Sequence, residues 1–216
     1  MEKRNTLVIG GAVGAAAIIV VIATAIVMQS FSQTSATDNS VCWSDSRFAS
    51  AIKFPVAKPS WLPIGYSLQC QVPDSYQAMM LYSTKPMGSK EIEQAVREDG
   101  GIVVVVTDET LGGQSTNNLP SPQQRIDDTT RLLTPELKEK MQFRYITVNG
   151  HPGWAREAGD YGSMTTQYGN GTVISKESTR EPALVEFNLK TTNYVITAFR
   201  PADELIKIAE SIPAME

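Results

Sequence analysis

The hydropathy pattern begins with Leu7–Met28, LVIGGAVGAAAIIVVIATAIVM, 22 residues without a charge. A helix of that length, rising about 1.5 Å per residue, crosses a ~30 Å hydrocarbon core. The stretch therefore predicts a transmembrane helix. Lys3 and Arg4 precede it, and the next basic residue is Arg47. By the positive-inside rule, residues 1–6 form a short cytosolic tail and the chain beyond the span lies outside the cell membrane. The alternative is a cleaved signal peptide, cut at Ala23-Thr24-Ala25 or Thr34-Ser35-Ala36. The run exceeds the ~7–15 apolar residues of an ordinary signal core, which favours an uncleaved signal-anchor.

Residues 29–40, QSFSQTSATDNS, carry one large apolar side chain, Phe31. So polar a run cannot offset the entropy of ordering it, and it predicts a flexible linker. Residues 41–216 then show the alternations of a folded domain. Ser44–Lys53 spaces Phe48, Ala51 and Ile52 as a helix with Ser44 as N-cap. In PSWLPIGY, Pro59 and Pro63 forbid a regular helix or interior strand, and Gly65 permits a turn. Tyr66–Val72 alternates as a strand, and Gln77–Ser83 is a second one. Ser89–Glu98 reads as a helix with Ile92 and Val96 inward, ended by Gly100-Gly101. The β-branched run Ile102–Val106 predicts a strand covered on both faces.

Leu111–Gln124, rich in Gly, Ser, Asn, Pro and Gln, predicts an exposed loop. Thr134-Pro135 opens a short helix to about Met141. Phe143–Val148 and His151–Glu157 flank Asn149-Gly150, a strong hairpin signal, with Pro152-Gly153 marking a bend. Asp160–Thr172 reads as a turn-rich loop. Along Ala183–Lys190, Val185, Phe187 and Leu189 point inward, and Glu186, Asn188 and Lys190 outward. A turn at Thr191-Thr192 leads to the strand Asn193–Phe199. Pro201 opens a final helix with Leu205, Ile208, Ala209 and Ile212 as one apolar stripe, stopped by Pro213. The predicted class is α+β: two paired hairpins, Phe143–Glu157 and Ala183–Phe199, form an antiparallel sheet crossed by the C-terminal helix.

Charge and cysteines narrow the picture. The chain has 19 basic and 23 acidic residues; setting aside Glu2, Lys3 and Arg4 leaves 17 against 22 outside. That mild acidity argues against binding nucleic acid, which needs clustered positive charge. Cys42 and Cys70 are the two cysteines, both on the outer side, and predict a disulfide closing a ring of 29 residues. Two buried free thiols are the alternative.

Three separated stretches carry a resemblance: PSWLPIGY, ITVNGHPGW and NYVITAFRPADELIKIAESI. Together they resemble an extracytoplasmic domain family of unknown function that follows a transmembrane helix. Some of its members occur in anti-sigma-factor-like and sporulation membrane proteins. The shared positions are Pro59, Leu62, Pro63, Gly65 and Tyr66, then Asn149 and Gly150, then Tyr194, and Glu204 to Ile212. The likeness covers roughly residues 54–213, with a poorly matched middle. It implies a fold and no catalytic residues. Six cytosolic residues would not hold a sigma factor, which is a departure from anti-sigma factors proper.

Candidate chemistry is sparse. The single histidine, His151, sits beside the Asn-Gly turn with no carboxylate or nucleophile placed near it by sequence, and one imidazole makes no metal site. Ser50–Lys53 matches Ser-x-x-Lys, but the companion motifs of penicillin-recognising enzymes are missing. No phosphate-loop, zincin or nucleophile-elbow motif occurs. Asp108-Glu109 and Asp127-Asp128 read as solvated loop and helix faces. Asn170-Gly171-Thr172 is an N-glycosylation sequon. The expectation is a non-catalytic surface interaction or sensory module without cofactor or metal, binding a protein or envelope polymer. The alternative is a carrier of an apolar ligand held in a cleft between sheet and helix. A filled sheet–helix interface favours the first and an apolar cavity there favours the second.

Overall fold

The computed structural model of the chain describes residues 7–8, 42–88, 91–110, 121–131, 133, 135–161, 164–167, 173–176 and 180–214. In chain order the elements are β1 (Leu7–Val8), α1 (Asp45–Ala51), β2 (Ser67–Pro73), β3 (Gln77–Ser83), α2 (Ile92–Asp99) and β4 (Ile102–Asp108). Then come α3 (Pro122–Arg131), α4 (Pro135–Lys140), β5 (Arg144–Val148), β6 (His151–Arg156), β7 (Gly159–Asp160), β8 (Met164–Gln167) and β9 (Val173–Lys176). The chain closes with β10 (Arg180–Glu181), β11 (Ala183–Leu189), β12 (Thr192–Ala198) and α5 (Ala202–Glu210).

Seven strands make one sheet in the order β2-β3-β4-β12-β11-β6-β5, and every pairing is antiparallel. The two expected hairpins are joined directly, with Glu186 opposite Trp154 and Val185 opposite Ala155. Asn149 and Gly150 have φ of 50° and 82°, the doubly left-handed turn whose twist suits a tight hairpin. Gly153 fits only because it lacks a side chain: a Cβ there would lie 2.6 Å from the Glu186 carbonyl oxygen. The architecture is α+β.

One face of the sheet holds the main core. Val185, Phe187 and Leu189 of β11 and Tyr194 and Ile196 of β12 pack with Leu205, Ile208, Ala209 and Ile212 of the C-terminal helical segment, all essentially inaccessible. Apolar side chains at period two meet a stripe at helical period, so each removes the other from water. The opposite face, under β2–β4, carries Met79, Leu81, Val103 and Val105 against Ala95 and Val96 of α2. The Ile102–Val106 run is thus covered on both sides, as its composition predicts. Glu91 caps α2 through a capping box with Gln94, and Gly100 ends it at φ 67°. Ser44 caps α1 by accepting from the Arg47 N–H at 3.5 Å.

Several expectations need correcting. Glu186 and Asn188, assigned outward to solvent, are 8% and 1% exposed, because the face they occupy is itself covered. Residues 122–124 belong to α3 rather than a loop. Ser121 caps that helix through the Gln124 N–H, and Pro122 occupies its first turn, where no amide is needed. Pro152 and Gly153 lie within β6 opposite Thr147 and Ile146; β11 pairs only as far as Gly153, so the missing Pro152 amide costs no ladder bond. The Asp160–Thr172 stretch contains β8, which pairs with β9. β2 is interrupted by a bulge between Leu68 and Cys70, which breaks its alternation. The final helix ends at Glu210, before Pro213.

The predicted span falls almost wholly outside the described residues. Leu7 and Val8, expected as its first turn, instead pair in parallel with Met164 and Thr165. Residues 9–28 and the linker 29–40 lie outside the described residues. Among the described residues no helix is long and apolar enough to cross a membrane.

Candidate functional site

Cys42 and Cys70 are bonded to each other, with Cα atoms 4.8 Å apart. The bond fastens the N-terminal arm along the outer edge of β2, where the Trp43 N–H also donates to the Gln71 carbonyl at 2.9 Å. Asp45 stands beside this junction. Its carboxylate accepts from Gln71 Nε2 at 2.8 Å and from Lys58 Nζ at 3.1 Å, and these donors hold its pKa below the usual carboxylate range. Asn170 and its sequon lie outside the described residues. His151 is half-buried at the start of β6, opposite Val148. Ser50 Oγ donates to the Arg47 carbonyl at 2.8 Å, an ordinary intrahelical bond, and gives the Ser-x-x-Lys match no chemistry. Among the described residues no three His, Cys, Asp or Glu side chains are grouped to hold a metal ion.

The space between α5 and the sheet, where an apolar ligand would have to lie, is filled by side chains of the main core. A different opening stands at the β5 edge. There a cleft of about 520 Å³ runs between α3 and the hairpin β5–β6, lined by Gln123, Asp127, Tyr145, Thr147 and Pro152 among others. Gln123 Nε2 donates to Asp127 Oδ1 at 2.9 Å. Tyr145 is 55% exposed, and its hydroxyl meets Thr130 Oγ1 at 3.1 Å, which locks α3 to the strand. Phe143 supports the Tyr145 ring edge-on at 5.2 Å, and Phe143 in turn stacks on Trp154 at 5.5 Å. Among the described lining residues, Asp127 is the carboxylate, and no histidine or amine stands with it. This arrangement can stack on and hydrogen-bond a polar chain. Among the described lining residues no pair of groups is set for acid–base or nucleophilic chemistry.

Behind the cleft, on the same face, lies a buried polar group that the sequence pattern missed. Glu186 accepts from Trp154 Nε1 at 3.1 Å and from Asn193 Nδ2 at 3.0 Å, and Asn193 also reaches Asn188 Oδ1 at 3.2 Å. Farther along β6, Arg156 is 2% exposed, with its guanidinium 5.1 Å from the Tyr161 ring centre. Burial pushes the Arg156 pKa down, while Tyr161 and Glu181 push it back up. One signal could have exposed this group: a tryptophan inside a strand needs an acceptor for its N–H when buried.

A further apolar feature is the PSWLPIGY loop. Trp61 is 42% exposed and Ile64 fully exposed, whereas Leu62 packs on the main core.

No family model, curated protein or solved structure matches the chain.

Proposed function

We propose that the chain is a single-pass membrane protein whose extracytoplasmic α+β domain is a non-catalytic interaction module. It would recognise a protein or an envelope polymer through the Tyr145 cleft. The observation that carries this reading is the contrast between the two candidate openings. The sheet–helix interface is filled by apolar side chains, which supports the interaction reading over a carrier at that place. The cleft at the β5 edge is open, partly polar and topped by a half-exposed tyrosine. Such a ring suits a peptide or glycan chain better than a buried apolar molecule.

The membrane part of the proposal rests on the uncharged Leu7–Met28 stretch and on Lys3 and Arg4 before it. In that arrangement Leu7 and Val8 enter the bilayer and give up their pairing with Met164 and Thr165. The resemblance to an extracytoplasmic domain family that follows a membrane helix agrees with this placement. The test is a photo-crosslinking residue at position 145 in cells making the full chain, with exposed position 190 as control. A discrete adduct at 145 and none at 190 is expected. Identical patterns at both positions would remove the cleft from the account.

A further inference from the structure

From Pro59 to Pro73 no residue is charged. Within that stretch, Trp61 and Ile64 stand out from the domain while their flanks are clamped. On one side, the Ser60 N–H and Oγ both donate to the Ser211 carbonyl, at 3.2 and 2.7 Å, and the Trp61 N–H donates to Ser211 Oγ at 3.1 Å. On the other side, the Tyr66 hydroxyl donates to the Gly100 carbonyl at 2.8 Å and accepts from Arg200 at 3.1 Å. Between the clamps, the Tyr66 N–H closes a turn on the Pro63 carbonyl at 3.1 Å, with Gly65 at φ 86°. So held, the tip packs Leu62 on the core and leaves Trp61 partly and Ile64 wholly in water. Trp61 and Ile64 together on one uncharged loop make an apolar tip rather than a lone exposed residue, and covering it would remove apolar surface from water.

We infer that the Trp61–Ile64 tip dips into the outer surface of the chain's own membrane. This rests on the membrane-anchored reading proposed above. Geometry favours the bilayer as the occupant. Cys42, where the described domain begins, is bonded to Cys70. Gly65 is five residues from Cys70, roughly 17 Å of extended chain. Residues 29–41 link the span to Cys42, and a polar linker of 13 residues averages about 20 Å end to end. The tip thus stands within about 17 Å of the point where the linker joins the domain, and a linker averaging about 20 Å lets that side of the domain reach the membrane that holds it. Its chemistry agrees: Trp61 suits the headgroup level, Ile64 the acyl boundary, and the uncharged stretch needs no anionic lipid.

The three tryptophans, Trp43, Trp61 and Trp154, all lie outside residues 7–28, so tryptophan emission reports on the domain alone. Trp154 is buried, and Trp43 is half-buried with the Arg47 guanidinium 3.8 Å from its ring centre. The full chain is placed in phosphatidylcholine nanodiscs, with or without bromine on the acyl chains. Bromine should quench up to about a third of the emission, the share of one tryptophan in three. Trp61→Phe should abolish that quenching, and so should Ile64→Asp, which alters a fully exposed side chain and leaves every tryptophan in place. Equal emission in both discs, with the chain retained in the disc fraction, would overturn the inference and leave the anchor standing. A chain that elutes apart from the discs would overturn both.

Discussion

Trp154 donates its indole N–H to Glu186 at 3.1 Å, directly across the β6–β11 pairing and under cover. A carboxylate on a strand face is ordinarily left to water. Here both of its oxygens are engaged, one by Trp154 and the other by Asn193. Removing the indole takes one hydrogen bond away from a buried carboxylate. Trp154→Phe should cost about 1–3 kcal/mol beyond the packing it loses. Chemical denaturation of Trp154→Phe, Glu186→Leu and the double variant measures this. The double variant should recover part of the loss, because no buried carboxylate is then left in need of the indole.

The helix on the other face makes a simpler case. Ile208 is fully buried against β11 and β12, whereas its neighbour Lys207 is exposed. Ile208→Ala should destabilise the domain by about 2–4 kcal/mol. Lys207→Ala should change it by less than about 0.5 kcal/mol. Equal melting temperatures for the two variants would mean that α5 is not docked on the sheet.

These two faces mark what sequence alone could reach. Val185, Phe187 and Leu189 announced the core side of β11, and the Asn149-Gly150 pair fixed the hairpin, because both signals are local. Glu186 and Asn188 alternate with them and looked solvent-facing. A two-residue period separates the faces of a strand but does not tell whether the second face is also covered. That cover depends on contacts between distant segments. Helix α3 is legible only as a solvated helix face at Asp127-Asp128, because PQQRIDDTTR has one large apolar residue, Ile126, and so no stripe to read. Without that helix's bounds and partner strand, the cleft between Asp127 and Tyr145 cannot be foreseen. Its start was nonetheless written in Ser121-Pro122.

The Cys42–Cys70 bond closes a ring of 29 residues on the edge strand β2. Chain-entropy reasoning makes its removal cost about 3–4 kcal/mol. Thermal unfolding of Cys42→Ser/Cys70→Ser beside the oxidised chain tests this. An unchanged midpoint would show that the arm contributes nothing to the fold.

The Asp45 carboxylate, held below the usual range by Gln71 and Lys58, gives stability with a defined sign. Its folded-state pKa is the lower one, so the stabilisation is present above the ordinary carboxylate pKa of about 3.9. It fades as pH falls through the lowered value. Wild type should therefore melt above Asp45→Asn at pH 7, and the gap should close in acid. Added salt should narrow it at pH 7, since the ion pair is exposed. A gap independent of pH would assign the effect to something other than the charge.

In the proposed topology, one membrane span holds this domain outside the cell with the N-terminus inside. Cys42 and Cys70 are the chain's two cysteines, and both lie on the outer side in that arrangement. After mild reduction of intact cells making the full chain, a membrane-impermeant thiol reagent should label both without lysis. Labelling that appears only once the cells are broken would contradict the topology, and with it the surface role proposed for the domain.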